Sequence, residues 1–256
     1  MTKPHVTDFL IELEHEAAVL RGSVAEADFN QVIPSRPDLT LVDLVATLVG
    51  TYRFIIQVLH NENTAAPIPS EPTTPRIAED QLLQTFDDVL ADLIGALKAR
   101  PADSPAWNWA PVAKTVAFWH RRALTETALS RWDAQMAIGA TEPFRPRLAC
   151  DIIAEALEAY LPAGRRRNAG DQATHGLVQL FAQDADETFF VRLHARAEDE
   201  ACGRISVLSN IDSDSQLQAR AAGSASDLAL ALWGRLPFGI TDAVGDDDLL
   251  QSLRVQ

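Results

Sequence analysis

Along residues 6–20 the apolar positions Phe9, Leu10, Leu13, Ala17 and Leu20 recur at three- and four-residue steps, which places them on one stripe of a helix. A first helix is expected there. The next periodic run follows Pro34-Ser35-Arg36-Pro37 and opens with Thr40-Leu41-Val42-Asp43, where Thr40 can cap a helix and Asp43 can return the bond. This second helix is expected to reach about His60. Pro67, Pro69, Pro72 and Pro75 keep the linker 61–75 from being helical throughout. A third helix is expected over about 77–99, with Leu82, Leu83, Phe86, Val89, Leu90, Leu93 and Leu97 as its core side. A proline-bounded loop carrying Trp107 and Trp109 leads to a fourth helix over about 112–137, stopped at Gly139. A fifth covers about 147–161 and ends at Pro162 and Gly164. Helices of this length predict an up-and-down bundle.

After Arg165 the pattern shortens. Gly176–Ala182, 188–194 and 203–208 are partly alternating and broken by Asp, Glu and Gly, as strands are. Residues 223–227 read as a helix start, 228–233 as its apolar body, and 234–237 as its break. Residues 245–250 read as another helix start with acids at its positive end. The expected class is α+β: a helical bundle domain over 1–163 and a small α/β domain over 164–256, joined by an exposed connector around Arg165-Arg166-Arg167. No repeat of 20–50 residues is present.

The composition narrows the function. The chain has 256 residues, 47% of them hydrophobic, and a net charge of −14, which removes the basic surface needed for nucleic acid or an anionic membrane. Cys150 and Cys202 have no metal-ligand spacing and make no disulfide framework. The charged N-terminal stretch has no signal-peptide core, and no 18 apolar residues run together, so a cytoplasmic protein is expected. Phosphate loops, G-x-S-x-G, H-E-x-x-H and zinc knuckles are absent, and the six histidines never pair at helical spacing.

The informative stretch is the fourth helix. Arg122, Glu126, Ser130 and Asp133 fall on one face as a polar row. Spacing alone allows two readings: an exposed Arg122–Glu126 ion pair of about 0.3–0.5 kcal/mol, or a Glu126 that points into a pocket and moves a proton or holds a ligand.

Three segments in order carry a resemblance: Pro37 to Ala46 (P-x-x-T-x-x-D-L-V-A), Phe118 to Ala134 (F-W-x-R-R-x-x-x-E-T-A-x-x-R-x-D-A) and Ser226 to Pro237 (S-D-L-x-L-x-L-W-G-R-x-P). Together they resemble the mycothiol-dependent maleylpyruvate isomerase family. The resemblance implies a DinB-like four-helix bundle, a small sterol-carrier-like α/β domain, an actinobacterial source and a thiol cofactor, mycothiol. It also implies a divalent metal held by a histidine of D-L-V-A-H and by the glutamate and second histidine of H-E-T-A-x-H. Here those positions read Thr47, Glu126 and Ser130, and the family's C-P-G-W reads Arg36-Pro37-Asp38-Leu39.

Hydroxyls are poor substitutes for imidazole as ligands, so no metal residues are assigned and no tightly bound metal is expected. His120 and His60 are poorly placed to rebuild the site. The expected site residues are Glu126 as acid/base, Arg235 as an anion clamp by resemblance, and Thr47, Ser130 and Arg122 as ligand-binding groups, in a cleft between domains. The expected function is a metal-site-degenerate family member binding a small molecule or thiol. The alternative is an active thiol-dependent isomerase or S-transferase, metal-free or with a rebuilt site. The protein is expected to be a monomer or weak homodimer. Trp107 and Trp109 are expected to plug a bundle end, and the cysteines to be inert packing residues.

Overall fold

The computed structural model describes residues 8–68, 72–164, 175–195, 204–212 and 214–255. It divides into a helical unit, Thr7–Trp109 with Ala113–Glu142, and an α/β unit, Pro143–Gln256 with Ala110–Val112.

In the helical unit, α1 spans Phe9–Ala25 and starts where the Asp8 carboxylate accepts from the Leu10 and Ile11 N–H groups. A hairpin of β1 (Val32–Ile33) and β2 (Arg36–Thr40) follows. The prolines of that segment read only as a helix lead-in, so the hairpin was not expected. Helix α2 (Leu41–His60) carries the expected capping box: Asp43 N–H donates to Thr40 Oγ1, and Asp43 Oδ2 accepts from Thr40 N–H at 3.0 Å. These Thr40 hydrogen bonds hold the Asp43 carboxyl below its ordinary pKa. Helix α2 is long and apolar enough to cross a membrane on composition alone, but more than half of that apolar window is buried inside the protein. A 3-10 turn at Glu79–Gln81 precedes α3 (Leu82–Lys98).

Helix α4 spans Val116–Ala137 and starts four residues later than periodicity suggests. The backbone before it is used by the tryptophan loop: Ala106 N–H donates to the Lys114 carbonyl at 2.9 Å, and Val116 N–H to the Ser104 carbonyl at 3.0 Å. Its end is as expected, with Gly139 at φ +70° and Ala140 N–H bonded to the Gln135 carbonyl at 2.9 Å. Helix α4 packs on α1 and α2, and α3 packs on α2.

The α/β unit begins with α5 (Pro146–Glu155), which passes into a turn of π helix at Ala156–Tyr160. Strands β3 (Gly176–Ala182), β4 (Glu187–Leu193), β5 (Ile205–Leu208), β6 (Ala219–Gly223) and β7 (Asp242–Gly245) form one sheet in the order β5-β4-β3-β6-β7. Among the described residues, only the β3–β6 pair is parallel. Val178, Leu180, Ala182, Phe189, Val191 and Leu193 turn to the buried side. Helix α6 (Ala225–Leu232) is capped by Ser224 and α7 (Asp247–Gln251) by Asp246.

The expected boundary at 163/164 is corrected to Pro143. Helix α5 belongs to the second unit because it packs on α6, where Trp233 Nε1 donates to the Ile152 carbonyl at 3.2 Å and the Tyr160 and Trp233 rings meet at 4.7 Å. Phe144 N–H also donates to Ser226 Oγ at 2.9 Å. The expected connector at Arg165-Arg166-Arg167 lies outside the described residues.

One buried ion pair fastens α4 to α1. Arg131 Nε donates to Glu16 Oε2 at 2.9 Å, with both side chains 4% exposed, and its Nη1 donates to Gln135 Oε1 and the Glu142 carbonyl. Replacing Glu16 by Leu strands the guanidinium and should cost about 3–5 kcal/mol in a urea melt. The double replacement Glu16→Leu with Arg131→Met should recover most of that loss. A single variant as stable as wild type would show that the pair does not hold the helices.

Candidate functional site

The polar row of α4 forms, and its central contact is the ion pair between Arg122 Nη2 and Glu126 Oε1. It is not the exposed pair that spacing allowed. The Arg122 side chain is 3% exposed and that of Glu126 31%, so the guanidinium is sunk in the unit while the carboxylate keeps an edge to solvent. A salt bridge with one desolvated partner is far less mobile than a surface pair.

Beside Glu126 the structure places a residue that sequence reading missed. Tyr52 of α2 is fully buried, and its hydroxyl lies 2.5 Å from Thr127 Oγ1. Thr127 donates its own proton to the Ala123 carbonyl at 2.7 Å, so the phenol is the donor to Thr127. Burial pushes the Tyr52 pKa up, and the neighbouring Glu126 charge pushes it further. Tyr52 therefore stays neutral, a fixed donor at the α2–α4 contact. Its one sequence signal was an apolar helix carrying a single phenol.

The other expected residues divide. Thr47 is half-buried on α2, and its Oγ1 lies 3.2 Å from Thr74 Oγ1, a partner from the linker. Ser130 is buried, and the adjacent polar position, Asp133, accepts from Ser35 Oγ at 2.8 Å, which ties the hairpin to α4. Arg235 lies in the other unit. Its N–H bonds the Leu230 carbonyl and Gly234 N–H the Ala231 carbonyl, with Gly234 at φ +73°, the hydrogen bonds of a Schellman ending of α6. The Arg235 guanidinium donates to the Trp233 carbonyl at 2.8 Å, so it serves the helix terminus.

Among the described residues, no group of three or more His, Cys, Asp and Glu is placed to hold a metal ion. Two open grooves, of about 510 and 450 Å³, lie between α2 and α3 and between the π turn and β5. Neither is lined by Thr47, Arg122, Glu126, Ser130 or Arg235. Trp107 accepts from Trp119 Nε1 at 2.7 Å through its carbonyl, and Trp109 meets Phe118 edge-on at 5.6 Å, so the loop packs on the start of α4. Cys150 is buried, and burial pushes its thiol pKa up to about 12, which removes the thiolate a nucleophile needs.

His120 lies near the start of α4. Burial lowers its pKa, more than the hydrogen bond to the Leu97 backbone and the charge of Asp8 raise it. The unfolded chain, with an ordinary value near 6.5, takes up the proton first. This contribution to stability is therefore complete above about pH 6.5 and is lost as pH falls below it. Urea melts from pH 7.5 to 5.5 should show a shallower loss in His120→Phe than in wild type. Equal slopes would remove His120 from the acid sensitivity.

Residues 10–135 match the family model for the mycothiol maleylpyruvate isomerase N-terminal domain. Two solved structures share the fold. A crystal structure of the mycothiol-dependent maleylpyruvate isomerase aligns over 89% of this chain and 88% of its own, with TM-score 0.58 and 12% identity. A mutant of that isomerase with one histidine changed to alanine aligns over 92% of this chain and 91% of its own, with TM-score 0.60 and 12% identity. Comparison with curated proteins gave no match. The match assigns residues 10–135 to the mycothiol maleylpyruvate isomerase N-terminal domain family.

Proposed function

We propose that this protein is a metal-site-degenerate member of its family, whose helical unit binds a small molecule or a low-molecular-weight thiol around Glu126. The observation that carries this reading is the buried Arg122 guanidinium seated on the Glu126 carboxylate. A divalent ion of the zinc type needs imidazole, thiolate or free carboxylate donors. The donors here are two hydroxyls, Thr47 and Ser130, and one carboxylate already neutralised by an arginine. Thr47 is further engaged by Thr74. These residues do not fit a divalent metal, and no step is derived through one.

The remaining groups suit a polar organic ligand. Glu126 offers a reachable acceptor, Arg122 fixes its orientation and charge, and the Thr47 and Ser130 hydroxyls can donate or accept. Mycothiol, the thiol in the names of the similar structures, is the first ligand to test. The partial exposure of Glu126 also favours a second reading, a metal-free thiol-dependent isomerase or S-transferase in which this carboxylate takes or returns a proton. Both readings place the protein in the cytoplasm, where thiols stay reduced.

Elemental analysis of protein purified without chelator should find well under one transition-metal ion per chain. The double variant Thr47→His with Ser130→His should gain about one zinc. A stoichiometric metal in the wild-type protein overturns the degenerate reading. Mycothiol should raise the melting temperature with the logarithm of its concentration above Kd, adding about 2.7 kcal/mol at a hundredfold excess over Kd, and Glu126→Gln should abolish the shift. A Glu126→Gln variant that responds like wild type would move the ligand elsewhere.

A further inference from the structure

The Thr47 face of α2 is covered. After the proline-bearing linker, residues 72–78 run back across the helix without regular secondary structure. Two contacts fasten them: the Thr47–Thr74 hydroxyl pair at 3.2 Å, and a close backbone approach at Gly50. A Cβ on residue 50 would stand 2.1 Å from the Thr73 carbonyl oxygen and 3.3 Å from Pro75 Cδ. Gly50 sits inside α2, where glycine is a poorer helix former than alanine, so the space it leaves is what admits the strap.

The strap itself is weakly held. Thr73, Thr74 and Arg76 are exposed, and Pro75 and Ile77 are half-buried. Among the described residues, no backbone hydrogen bond joins 72–77 to α2. Segments with few buried apolar contacts and no backbone ladder open locally at small cost, while the core beneath stays closed.

We propose that residues 72–75 form a removable cover over Thr47, released by local opening while the bundle stays folded, and that this release admits ligand to the Thr47 side of the site. The cover rests on the strap geometry alone. Its link to a ligand rests on the reading given under Proposed function.

A reporter thiol separates the two. In a Cys202→Ser background, with native Cys150 buried, Thr47→Cys is labelled with iodoacetamide and the rate compared with the urea-unfolded chain. The folded reporter should label much more slowly than the unfolded chain. Adding Gly50→Ala, which forces the strap off without weakening the helix, should speed labelling about tenfold, with an unchanged far-UV spectrum. Pro75→Gly, which removes the ring packed beside Gly50 and loosens the strap, should give a smaller rise, and it keeps the test open if Gly50→Ala does not fold. Labelling as fast as in urea, or equal rates in all folded variants, overturns the cover. For the ligand, mycothiol should associate faster with Gly50→Ala than with wild type. If labelling follows the expected order but wild type binds no mycothiol, the cover stands and the thiol reading fails.

Discussion

Charge burial in α4 is the constraint on which the helical unit is built. The helix buries Arg121, Arg122, Arg131 and Asp133 together with Thr125, Thr127, Ser130 and Gln135, and a buried charge without a partner costs several kcal/mol. Neighbouring elements supply partners: Glu16 of α1 for Arg131 and Ser35 of the hairpin turn for Asp133, while Tyr52 of α2 meets the Thr127 hydroxyl. The polar contacts are specific in a way that apolar packing is not, because a one-residue slip of α1 or α2 would strand a guanidinium or a hydroxyl. By contrast, the Arg21–Asp87 and Lys98–Glu14 pairs sit on exposed surface, where such pairs contribute about 0–1 kcal/mol and fix no register.

The same constraint explains what could be read in the sequence. Helices α2 and α3 were legible because their apolar residues fall on a stripe and their ends carry local signals, the Thr40–Asp43 box above all. The strands β3, β4 and β5 alternate, and the starts of α6 and α7 show their capping residues, so these too were readable. Strand β7 was invisible because all four of its residues are exposed, and β6 because alanine and glycine carry little pattern. The extent of α5 was read well, but its allegiance was not. Which unit claims a helix depends on distant partners, here Trp233 and Ser226, and periodicity within the helix does not record them.

The candidate site was legible only as chemistry along one helix. Spacing put Arg122 four residues before Glu126, but not the burial that turns a surface pair into a fixed one. Tyr52 and Thr74 were out of reach because each meets the site across a helix contact or a linker. Arg235 was legible as a motif, and the structure adds that its guanidinium donates to the Trp233 carbonyl at the end of its own helix.

Fold and site are separable in this chain, and the arrangement of partners shows why. The contacts that set the bundle run through Glu16, Arg131, Gln135, Tyr52, Thr127, Ser35 and Asp133, while Thr47 and Ser130 stand outside that network. An imidazole exchanged for a hydroxyl at either position therefore removes no structural partner and leaves no buried charge unpaired. Glu126 is different: it is the counter-charge for a buried arginine, and losing it would strand Arg122. The replacement of metal-binding histidines by Thr47 and Ser130 proposed above would therefore cost the bundle little, whereas Glu126 is held in place by its buried partner.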